Sequence, residues 1–187
     1  MSIEELFEIL LSKNPREAII QNEERIFKMI PELKDCKGFN QNNSWHKYDV
    51  YEHTLHVVDN VEEDICLRLA ALFHDIGKPK TYTEDSQGVG HFYGHCDKSA
   101  KIFCEFAEKY KIDKNIKDTV ELLIKYHDEN IKYFNDRALK LFTDMFYRKE
   151  IIMLFKLKKA DLLAQNEKYH GLLEQYEEQK NRVLLKY

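Results

Sequence analysis

The sequence predicts an all-α protein, a helical bundle of about eight or nine helices, and three observations lead to this prediction. Apolar residues recur at intervals of three and four along nearly the whole chain, which is the periodicity of one helix face. The 187 residues include only six glycines and three prolines, too few for the many turns of a β protein. The hydrophobic fraction of 43% and the charged fraction of 33% are typical of a globular protein.

Nine segments carry the helical periodicity, and the first also has a capping signal. Ser2 and Glu5 have the spacing of a capping box, in which each side chain binds the backbone amide of the other residue. The last segment is charged and amphipathic, and we expect it to pack on the rest of the protein through Leu172, Leu173 and Tyr176. The predicted helices cover residues 2–12, 15–29, 49–62, 65–76, 95–110, 114–128, 136–144, 149–166 and 168–185.

Two segments interrupt the helical pattern. Residues 37–47 are polar and contain a glycine, so we expect a loop there. Residues 78–94 form the longest stretch without periodicity, and a long irregular connection in a compact domain is usually functional or disordered. Between them, Gly77 is expected to end a helix in the left-handed conformation, and Pro79 prevents the helix from continuing.

Charge, cysteine content and hydropathy exclude several classes of protein. The net charge of −4 gives no support for a large nucleic-acid-binding surface. The four cysteines show no CxxC spacing and are expected to be reduced thiols. The N-terminal segment MSIEELFEILLSKN lacks the basic start of a signal peptide, and no apolar run approaches the roughly 20 residues of a membrane span. We therefore expect a cytoplasmic protein with no membrane partner.

Six imidazole or carboxylate side chains fall on, or directly beside, the apolar faces of five predicted helices. They are His53, His74, Asp75, His95, His127 and Asp161. His53, for example, follows Val50 by three positions and precedes Val57 by four, so these residues share one face. A single histidine on an apolar face is more often a core residue with satisfied hydrogen bonds. Six such groups, each costly to bury without a partner, indicate a metal site instead.

The chemistry of these six groups limits the metal. Four histidines and two aspartates offer nitrogen and oxygen but no thiolate, which suits iron, manganese, zinc, cobalt or nickel and disfavours a closed structural zinc site. Six ligands exceed what one tetrahedral ion needs, so we expect two divalent ions, about 3.5–4 Å apart, with Asp75 bridging them. The alternative is a mononuclear centre on His53, His74, Asp75 and Asp161.

Three further residues are candidates for substrate binding. Lys78 follows the predicted helix end, where it either reaches a phosphate as a point charge or interacts favourably with the helix C-terminus. Tyr82 and His91 belong to the irregular segment, whose aromatic side chains either contact a base or sugar or pack the loop against the protein. His46 lies in the other loop and is a candidate for the surroundings of the metal.

The order of these residues resembles the H…HD…D motif of the HD-domain superfamily of metal-dependent phosphohydrolases. His53, His74–Asp75 and Asp161 match the motif, and His95 and His127 stand where members with a binuclear centre have two further histidines. Three segments also resemble the HD region of bacterial tRNA nucleotidyltransferases, the CCA-adding enzymes: PELKDCKGFNQNNSWHKYDVYEHTLHVV, AALFHDIGKPKTY and HFYGHCDKSAKIF. The glycine-rich strand and paired acidic residues of the nucleotidyltransferase head are missing, so we do not expect nucleotide addition.

The resemblance covers roughly residues 1–165, and we expect one HD-type helical domain over residues 1–187. Within it we expect an N-terminal helical extension (1–45), a metal-binding core (46–166) and a C-terminal helix (167–187). The resemblance also implies hydrolysis of phosphate esters or anhydrides. This activity cannot be inferred from the residues alone. The leading interpretation is a hydrolase that uses a metal-activated water on a nucleotide or other small phosphate ester, with Asp75 and Lys78 as catalytic residues.

Two alternatives remain open at this point. One is a phosphodiesterase or phosphatase that acts on 2′,3′-cyclic or terminal phosphates of RNA, as the similarity to tRNA enzymes suggests. The modest acidity of the chain favours a small phosphorylated substrate over this RNA partner. The other alternative is a metal-stabilised helical binding module without catalytic turnover.

Overall fold

Eleven α-helices form most of the computed structural model, which describes all 187 residues. The helices are Ile3–Leu10 (α1), Pro15–Gln21 (α2), Glu23–Met29 (α3), Pro31–Cys36 (α4), Val50–Asn60 (α5), Ile65–Phe73 (α6), His95–Lys109 (α7), Lys114–Tyr126 (α8), Asp136–Thr143 (α9), Arg148–Ala164 (α10) and Leu173–Leu184 (α11). Short 3₁₀ helices occupy Lys78–Lys80, Ile131–Tyr133 and Glu167–Leu172. The only strands, Thr83–Glu84 (β1) and Gly90–His91 (β2), pair in an antiparallel hairpin. The all-α prediction is confirmed.

The N-terminal region accounts for the two helices beyond the predicted nine. The segment predicted as one helix over residues 15–29 is divided at Asn22, whose side-chain amide donates to the Ala18 carbonyl at 3.0 Å. The second additional helix is α4, which begins at Pro31. Proline is favoured at the first position of a helix because its missing N–H needs no partner there. Pro31 was therefore an available signal for a helix that the periodicity did not reveal.

Polar caps fix the starts of several helices. The capping box of Ser2 and Glu5 is present at α1. Asp49, Asp64 and Asp113 begin α5, α6 and α8, where each carboxylate accepts hydrogen bonds from backbone amides of the first turn. Such caps satisfy donors that have no partner within the helix and are each worth about 1 kcal/mol. They set where the helices that carry the buried histidines begin.

One hydrophobic core of 42 buried residues extends from Leu6 in α1 to Val183 in α11. Helix α5 packs against both α6 and α10, and α8 packs against α6 and α7. No helix is long and apolar enough to cross a membrane. The arrangement surrounds the end of α6 with α5, α7, α8 and α10, so the polar groups at that end face side chains from all four.

Gly77 does not have the predicted left-handed conformation, because its φ is −80°. The glycine is instead required by a close approach of two chain segments. A Cβ atom at Gly77 would lie 2.8 Å from the backbone oxygen of His95 and 2.8 Å from the backbone nitrogen of Ser99. The Gly77 amide also donates to Ser99 Oγ at 2.9 Å. The chain that leaves α6 is therefore held directly against the first turn of α7.

The two irregular segments contact each other beside this junction. The predicted loop at residues 37–47 contains no helix or strand, and its Asn42 carbonyl accepts from the Gly90 amide of β2 at 2.9 Å. Any Cβ at Gly90 would lie 2.4 Å from the backbone oxygen of Gln41, so only glycine permits this contact. The second segment forms a 3₁₀ turn and a hairpin. Neither element could be predicted, because the sequence of this segment has no apolar periodicity.

Helix α11 packs against α10, as expected for the last segment. Leu172, Leu173 and Tyr176, predicted to provide the contact, are only half-buried. The buried residues of α11 are instead Gln179 and Val183. Gln179 also lines the cavity described below.

Candidate metal centre

The structure brings together all six side chains that the sequence placed on buried faces. His53 belongs to α5, His74 and Asp75 follow α6, His95 begins α7, His127 follows α8 and Asp161 belongs to α10. We call these six residues the cluster. Five of them are less than 10% exposed, and the carboxylate of Asp161 is 15% exposed. Residues more than 100 positions apart in the chain thus meet within one small region.

Backbone carbonyls fix the orientation of three of the four imidazole rings. Nδ1 of His74 lies 2.8 Å from the Ala71 oxygen, and Nδ1 of His127 lies 2.7 Å from the Ile124 oxygen. Nδ1 of His95 lies 2.9 Å from the carbonyl oxygen three residues before it. A carbonyl can only accept, so each Nδ1 carries a proton and donates it. The Nε2 atoms are therefore free to present lone pairs to the cluster, the usual arrangement of metal-binding histidines.

The Nε2 atoms of the four histidines lie in two close pairs. Within each pair the two lone pairs would repel each other if neither nitrogen carried a proton. Nε2 of His53 lies 3.4 Å from Nε2 of His74, and Nε2 of His95 lies 3.4 Å from Nε2 of His127. Two lone pairs at this distance repel each other unless a proton or a metal cation lies between them. The pairing therefore divides the cluster into two halves, each with its own requirement for positive charge.

Asp75 connects the two halves through its two carboxylate oxygens. Oδ2 faces the first half, at 3.2 Å from His74 Nε2 and 3.6 Å from His53 Nε2. Oδ1 faces the second half, at 3.3 Å from His95 Nε2 and 3.7 Å from His127 Nε2. Oδ1 is fully buried yet forms no hydrogen bond, which is costly for a carboxylate oxygen. Asp75 thus presents one carboxylate oxygen to each half of the cluster.

Asp161 completes the first half of the cluster. Its Oδ1 lies 3.0 Å from His53 Nε2 and 3.3 Å from the side-chain nitrogen of Gln165. Ligating atoms of His53, His74 and Asp161 all lie within 4.8 Å of one another. Burial raises the pKa of Asp161, but the hydrogen bond and charge of His53 together with the charge of His74 outweigh burial and hold this pKa well below its usual value. The ionised carboxylate of Asp161 therefore provides an oxygen ligand atom to the first half, whose other ligand atoms are mainly imidazole nitrogens.

The buried charges act on one another strongly. Burial raises the pKa of Asp75, but His74 and Lys78 outweigh burial and hold it well below the usual value. Burial lowers the pKa of His95, but the nearby Asp75 and Cys96 raise it to about 9. For His74 burial dominates, and its pKa is lowered. Carboxylate charge is thus retained throughout the cluster, where protons and metal cations compete for the same nitrogen atoms.

Lys78 is buried beside Asp75 rather than extended into solvent. Its Nζ lies 2.6 Å from Asp75 Oδ2 and donates to Oε1 of the buried Gln41 at 2.8 Å. His46 Nε2 is 3.4 Å from the same ammonium, and the His46 ring lies 5.1 Å from that of His53. Burial and the Lys78 charge lower the pKa of His46 to about 2, so this ring is neutral. Gln41, which the sequence did not reveal, holds Lys78 in position.

Two further polar groups at the cluster were not found from the sequence. Cys96 Sγ lies 3.5 Å from His95 Nε2 and 3.8 Å from His127 Nδ1, so a thiol stands at the second half. Lys158 is buried and donates to the His127 and Glu129 carbonyls at 2.6 and 2.9 Å. Lys158 lies three positions before Asp161, which is the helical spacing that could have indicated it.

A cavity of about 740 Å³ opens directly onto the cluster. Asp75, Lys78, His95, His127 and Asp161 contribute to its wall on one side. Of the substrate-binding candidates, Lys78 and His91 line this cavity, and His91 pairs with Asp85. Tyr82 is not among the lining residues. Its ring packs against Phe39 and Phe92, and its hydroxyl is hydrogen-bonded to Asn42 and Glu84.

The HD domain family profile matches residues 46–178, which contain every member of the cluster. The chain belongs to the HD domain family. The match begins in the polar loop at His46 and ends within α11. It therefore includes the helices whose ends meet at the cluster, a group of side chains capable of holding a divalent metal ion.

Several curated relatives of this HD domain chain are tRNA nucleotidyltransferases. The CC-adding tRNA nucleotidyltransferase of Thermus thermophilus is 33% identical over 173 residues, which cover 86% of this chain and 38% of the relative. The A-adding tRNA nucleotidyltransferase of Deinococcus radiodurans is 28% identical over 129 residues, covering 62% of this chain and 30% of the relative. The multifunctional CCA protein of Pasteurella multocida is 31% identical, with the same two shares. The chain thus spans about a third of the length of these relatives.

Proposed function

We propose that this HD domain protein is a metal-dependent phosphohydrolase that acts on a nucleotide or another small phosphate ester. The proposal is carried by one observation, the position of Asp75 between two pairs of imidazoles. Each carboxylate oxygen faces a different pair, and one oxygen is buried without a hydrogen bond. The membership in the HD domain family supports the same chemistry.

The six cluster residues would hold the cations, which we propose to be two divalent transition-metal ions. His53, His74 and Asp161 would bind one ion, His95 and His127 the other, and Asp75 would bind both. When bound, such ions supply a water molecule of lowered pKa and positive charge beside the phosphate. The carbonyl contacts at Nδ1 would keep three rings in their binding orientation throughout.

Lys78 would contact the substrate phosphate from the cavity wall. Its ammonium is held by Asp75 and Gln41, so little conformational freedom is lost when it meets an anion. A lysine acts on phosphate as a point charge and does not need a fixed angle of approach. Lys78 would thus offset the charge that develops on the phosphate as the ester bond breaks.

A second candidate function is hydrolysis of cyclic or terminal phosphates on RNA, because the named relatives act on tRNA. The charge around the cavity favours the smaller substrate. The exposed charged residues that line the cavity are Asp128, Glu129 and Lys132, a small excess of negative charge that offers little attraction to a long phosphate backbone. If RNA is the substrate, its binding should weaken steeply as salt is added. A flat salt response would exclude RNA in favour of the small ester.

The proposal is tested by metal analysis and hydrolysis assays on wild type and on Asp75→Asn. The substitution removes the charge that both halves share, and we expect a loss of metal affinity of about 100-fold or more. Hydrolysis of p-nitrophenyl phosphate and bis(p-nitrophenyl) phosphate, which report phosphatase and phosphodiesterase activity, should disappear in parallel. Asp59→Asn, an exposed change on the same helix as His53, is the matched control and should behave as wild type.

Two results would contradict the proposal. Full hydrolysis by Asp75→Asn would mean that the cluster is not the site of reaction. A wild-type protein that carries metal but hydrolyses neither probe, nor any nucleotide or RNA end, would instead be a metal-stabilised binding module.

A further inference from the structure

One face of the C-terminal segment forms part of the wall of the cavity. Leu172, Gln175, Tyr176 and Gln179 line the cavity, and their spacing of three and four positions places them on one helix face. The acidic residues of the same helix, Glu174, Glu177 and Glu178, are exposed. This face is therefore uncharged although the helix is rich in carboxylates. We call it the carboxamide wall.

Gln179 provides the observation that points to a ligand. It is only 9% exposed, and its carboxamide forms no hydrogen bond with the rest of the protein although it lines the cavity. Gln175, one turn earlier, also forms no side-chain hydrogen bond. Both amides are open to the cavity, where a ligand would replace the water that solvates them. Two such amides, side by side on one face, offer a donor and an acceptor each to a molecule in the cavity.

Aromatic rings accompany the two carboxamides. The Tyr176 ring lies on the carboxamide wall, with Lys158 Nζ 5.6 Å from its centroid. Tyr133 and Trp45 line the same cavity, and both are exposed. Lys158 also binds the carbonyl of His127, so one buried side chain joins the wall to the cluster.

We propose that the carboxamide wall binds a nucleobase, with Gln175 and Gln179 hydrogen-bonded to the edge of the base. A nucleobase is planar, uncharged and apolar on both faces, with donors and acceptors around its edge, and it matches amides flanked by rings. Glutamine and asparagine side chains recognise base edges through this paired donor and acceptor. This inference rests on the proposed function for the other end of the substrate, a phosphate at the cluster.

The size of the cavity agrees with a mononucleotide or dinucleotide rather than a polymer. Pockets for small molecules generally enclose about 300–1,000 Å³, and this cavity of about 740 Å³ lies within that range. Its wall includes the charged groups of the cluster and Lys78 as well as the neutral amides of Gln175 and Gln179. The substrate class is thus a small phosphate ester with a base at the end remote from the reacting phosphate.

The single tryptophan of the chain allows the inference to be tested without catalysis. Trp45 lines the cavity and stacks on Tyr169 with ring centroids 3.8 Å apart, so a base that enters should change its fluorescence. The full-length protein is titrated with adenosine, guanosine, cytidine, uridine and ribose, with metal and again with a chelator. We expect a saturable response to at least one nucleoside in both conditions and none to ribose.

Two substitutions assign any response to the carboxamide wall. Gln179→Leu and the half-buried Gln175→Leu replace the carboxamide with an apolar group of similar size and so remove its donor and acceptor. Each should weaken nucleoside binding by about tenfold or more. Each should also lower the ratio of kcat/KM for the preferred nucleotide to kcat/KM for ribose 5-phosphate. Gln21→Leu, an exposed change on α2, is the control and should change neither quantity.

The outcomes separate this inference from the proposed function. If no nucleoside binds better than ribose, or if both wall variants bind as wild type does, the base site does not exist even when the protein hydrolyses phosphate esters. If nucleosides bind at the wall but no ester is hydrolysed, the base site stands and the phosphohydrolase proposal fails.

Discussion

Asp75 and Lys78 place opposite charges side by side where cations are expected to bind. The ammonium lies 2.6 Å from Asp75 Oδ2, the oxygen that faces His53 and His74. Breaking such a buried pair leaves an uncompensated charge, which is strongly unfavourable. Lys78 therefore has opposite effects on two properties, since it competes with metal for Asp75 but provides positive charge for phosphate.

Replacement of Lys78 by methionine should separate these two properties. Lys78→Met removes the competing ammonium, so we expect metal content equal to or above that of wild type. Hydrolysis should fall by about 10-fold or more because a preorganised charge beside the phosphate is lost. Metal analysis and kcat measured on the same preparations provide the comparison. Lys80→Met, at a half-exposed lysine two residues later, should leave both unchanged. Equal losses of metal and activity in Lys78→Met would assign Lys78 a structural role only.

The thiol of Cys96 should influence which metal the second half prefers. Cys96 Sγ lies 3.5 Å from His95 Nε2, and thiolates select softer ions such as zinc over manganese. Cys96→Ser should therefore reduce zinc affinity by about 10-fold or more while manganese affinity changes little. Competition titrations with a fluorescent chelator measure both affinities. Cys104→Ser, at a cysteine two turns further along α7 beside Glu121, should have no such effect, and a shift common to both variants would refute the assignment.

Helical periodicity was sufficient to find the cluster residues but not all of their neighbours. His53 and Asp161 occur at apolar spacing along their helices, so burial of both side chains could be inferred from the sequence. Cys96 could not be found in this way, because adjacent residues on a helix point about 100° apart and His95 faces inward. At the first turn of α7 both directions reach the cluster. Gln41 lies in an irregular loop, where no period indicates which side chain is buried.

At the scale of elements, the position of the cluster depends on how closely α6 and α7 approach. Gly77 lies against the backbone of His95 and Ser99, and its amide is bound by the Ser99 hydroxyl. The sequence indicated correctly that glycine is needed after α6. The predicted reason, a left-handed conformation at Gly77, was wrong. The left-handed conformation depends on local backbone angles, which sequence can suggest. A close contact with a segment about 20 residues away depends on tertiary packing, which sequence does not show directly.

Gly77→Ala should move His74 and Asp75 away from His95. The added Cβ would lie 2.8 Å from two backbone atoms, which cannot move as a flexible side chain would. We expect the free energy of unfolding to fall by about 1–3 kcal/mol and metal affinity to fall with it. Denaturant unfolding and metal titration measure the two effects. Gly171→Ala, where no atom lies within 4 Å of the new Cβ, is the matched control. Unchanged metal binding in Gly77→Ala would show that the cluster tolerates separation of α6 and α7.

The short elements were the least predictable part of the fold. Helix α4 has only six residues, fewer than two turns, so it provides too few positions for a periodic pattern. The hairpin has two residues in each strand, and its turn is stabilised by Asp85 Oδ1, which accepts from the Gln87 and Val89 amides. Long helices such as α7 and α10 were predicted because many of their apolar residues follow the same helical spacing.

For the whole molecule, one core of 42 residues and one polar cluster contribute to stability separately. The core includes residues from both ends of the chain and is continuous without any of the six cluster residues, so we expect the protein to remain folded when metal is removed. The sequence predicted the all-α class because this core is built from helix faces. It could not predict the cavity, since that space depends on how α11 and two loops are placed after the helices have packed.

Chelation should lower the melting temperature without unfolding the protein. Metal present at about 1,000 times its dissociation constant adds about 4 kcal/mol to the stability of the folded state. For a chain of this length that corresponds to a decrease of roughly 10 °C when the metal is removed. Thermal unfolding followed by circular dichroism, with EDTA and after readdition of manganese, provides the test. Complete loss of helical signal at 25 °C in EDTA would indicate a structural metal site, and an unchanged melting temperature would indicate that no metal binds.

The carbonyl contacts of His74, His95 and His127 also have a kinetic consequence. Because the rings already point inward, filling of the centre requires little rearrangement of the chain. The rate should then be governed by how quickly an arriving ion sheds its hydration shell and by how quickly the ammonium leaves Asp75. Magnesium gives up its water reluctantly, so it should enter slowly and be displaced readily by softer divalent ions.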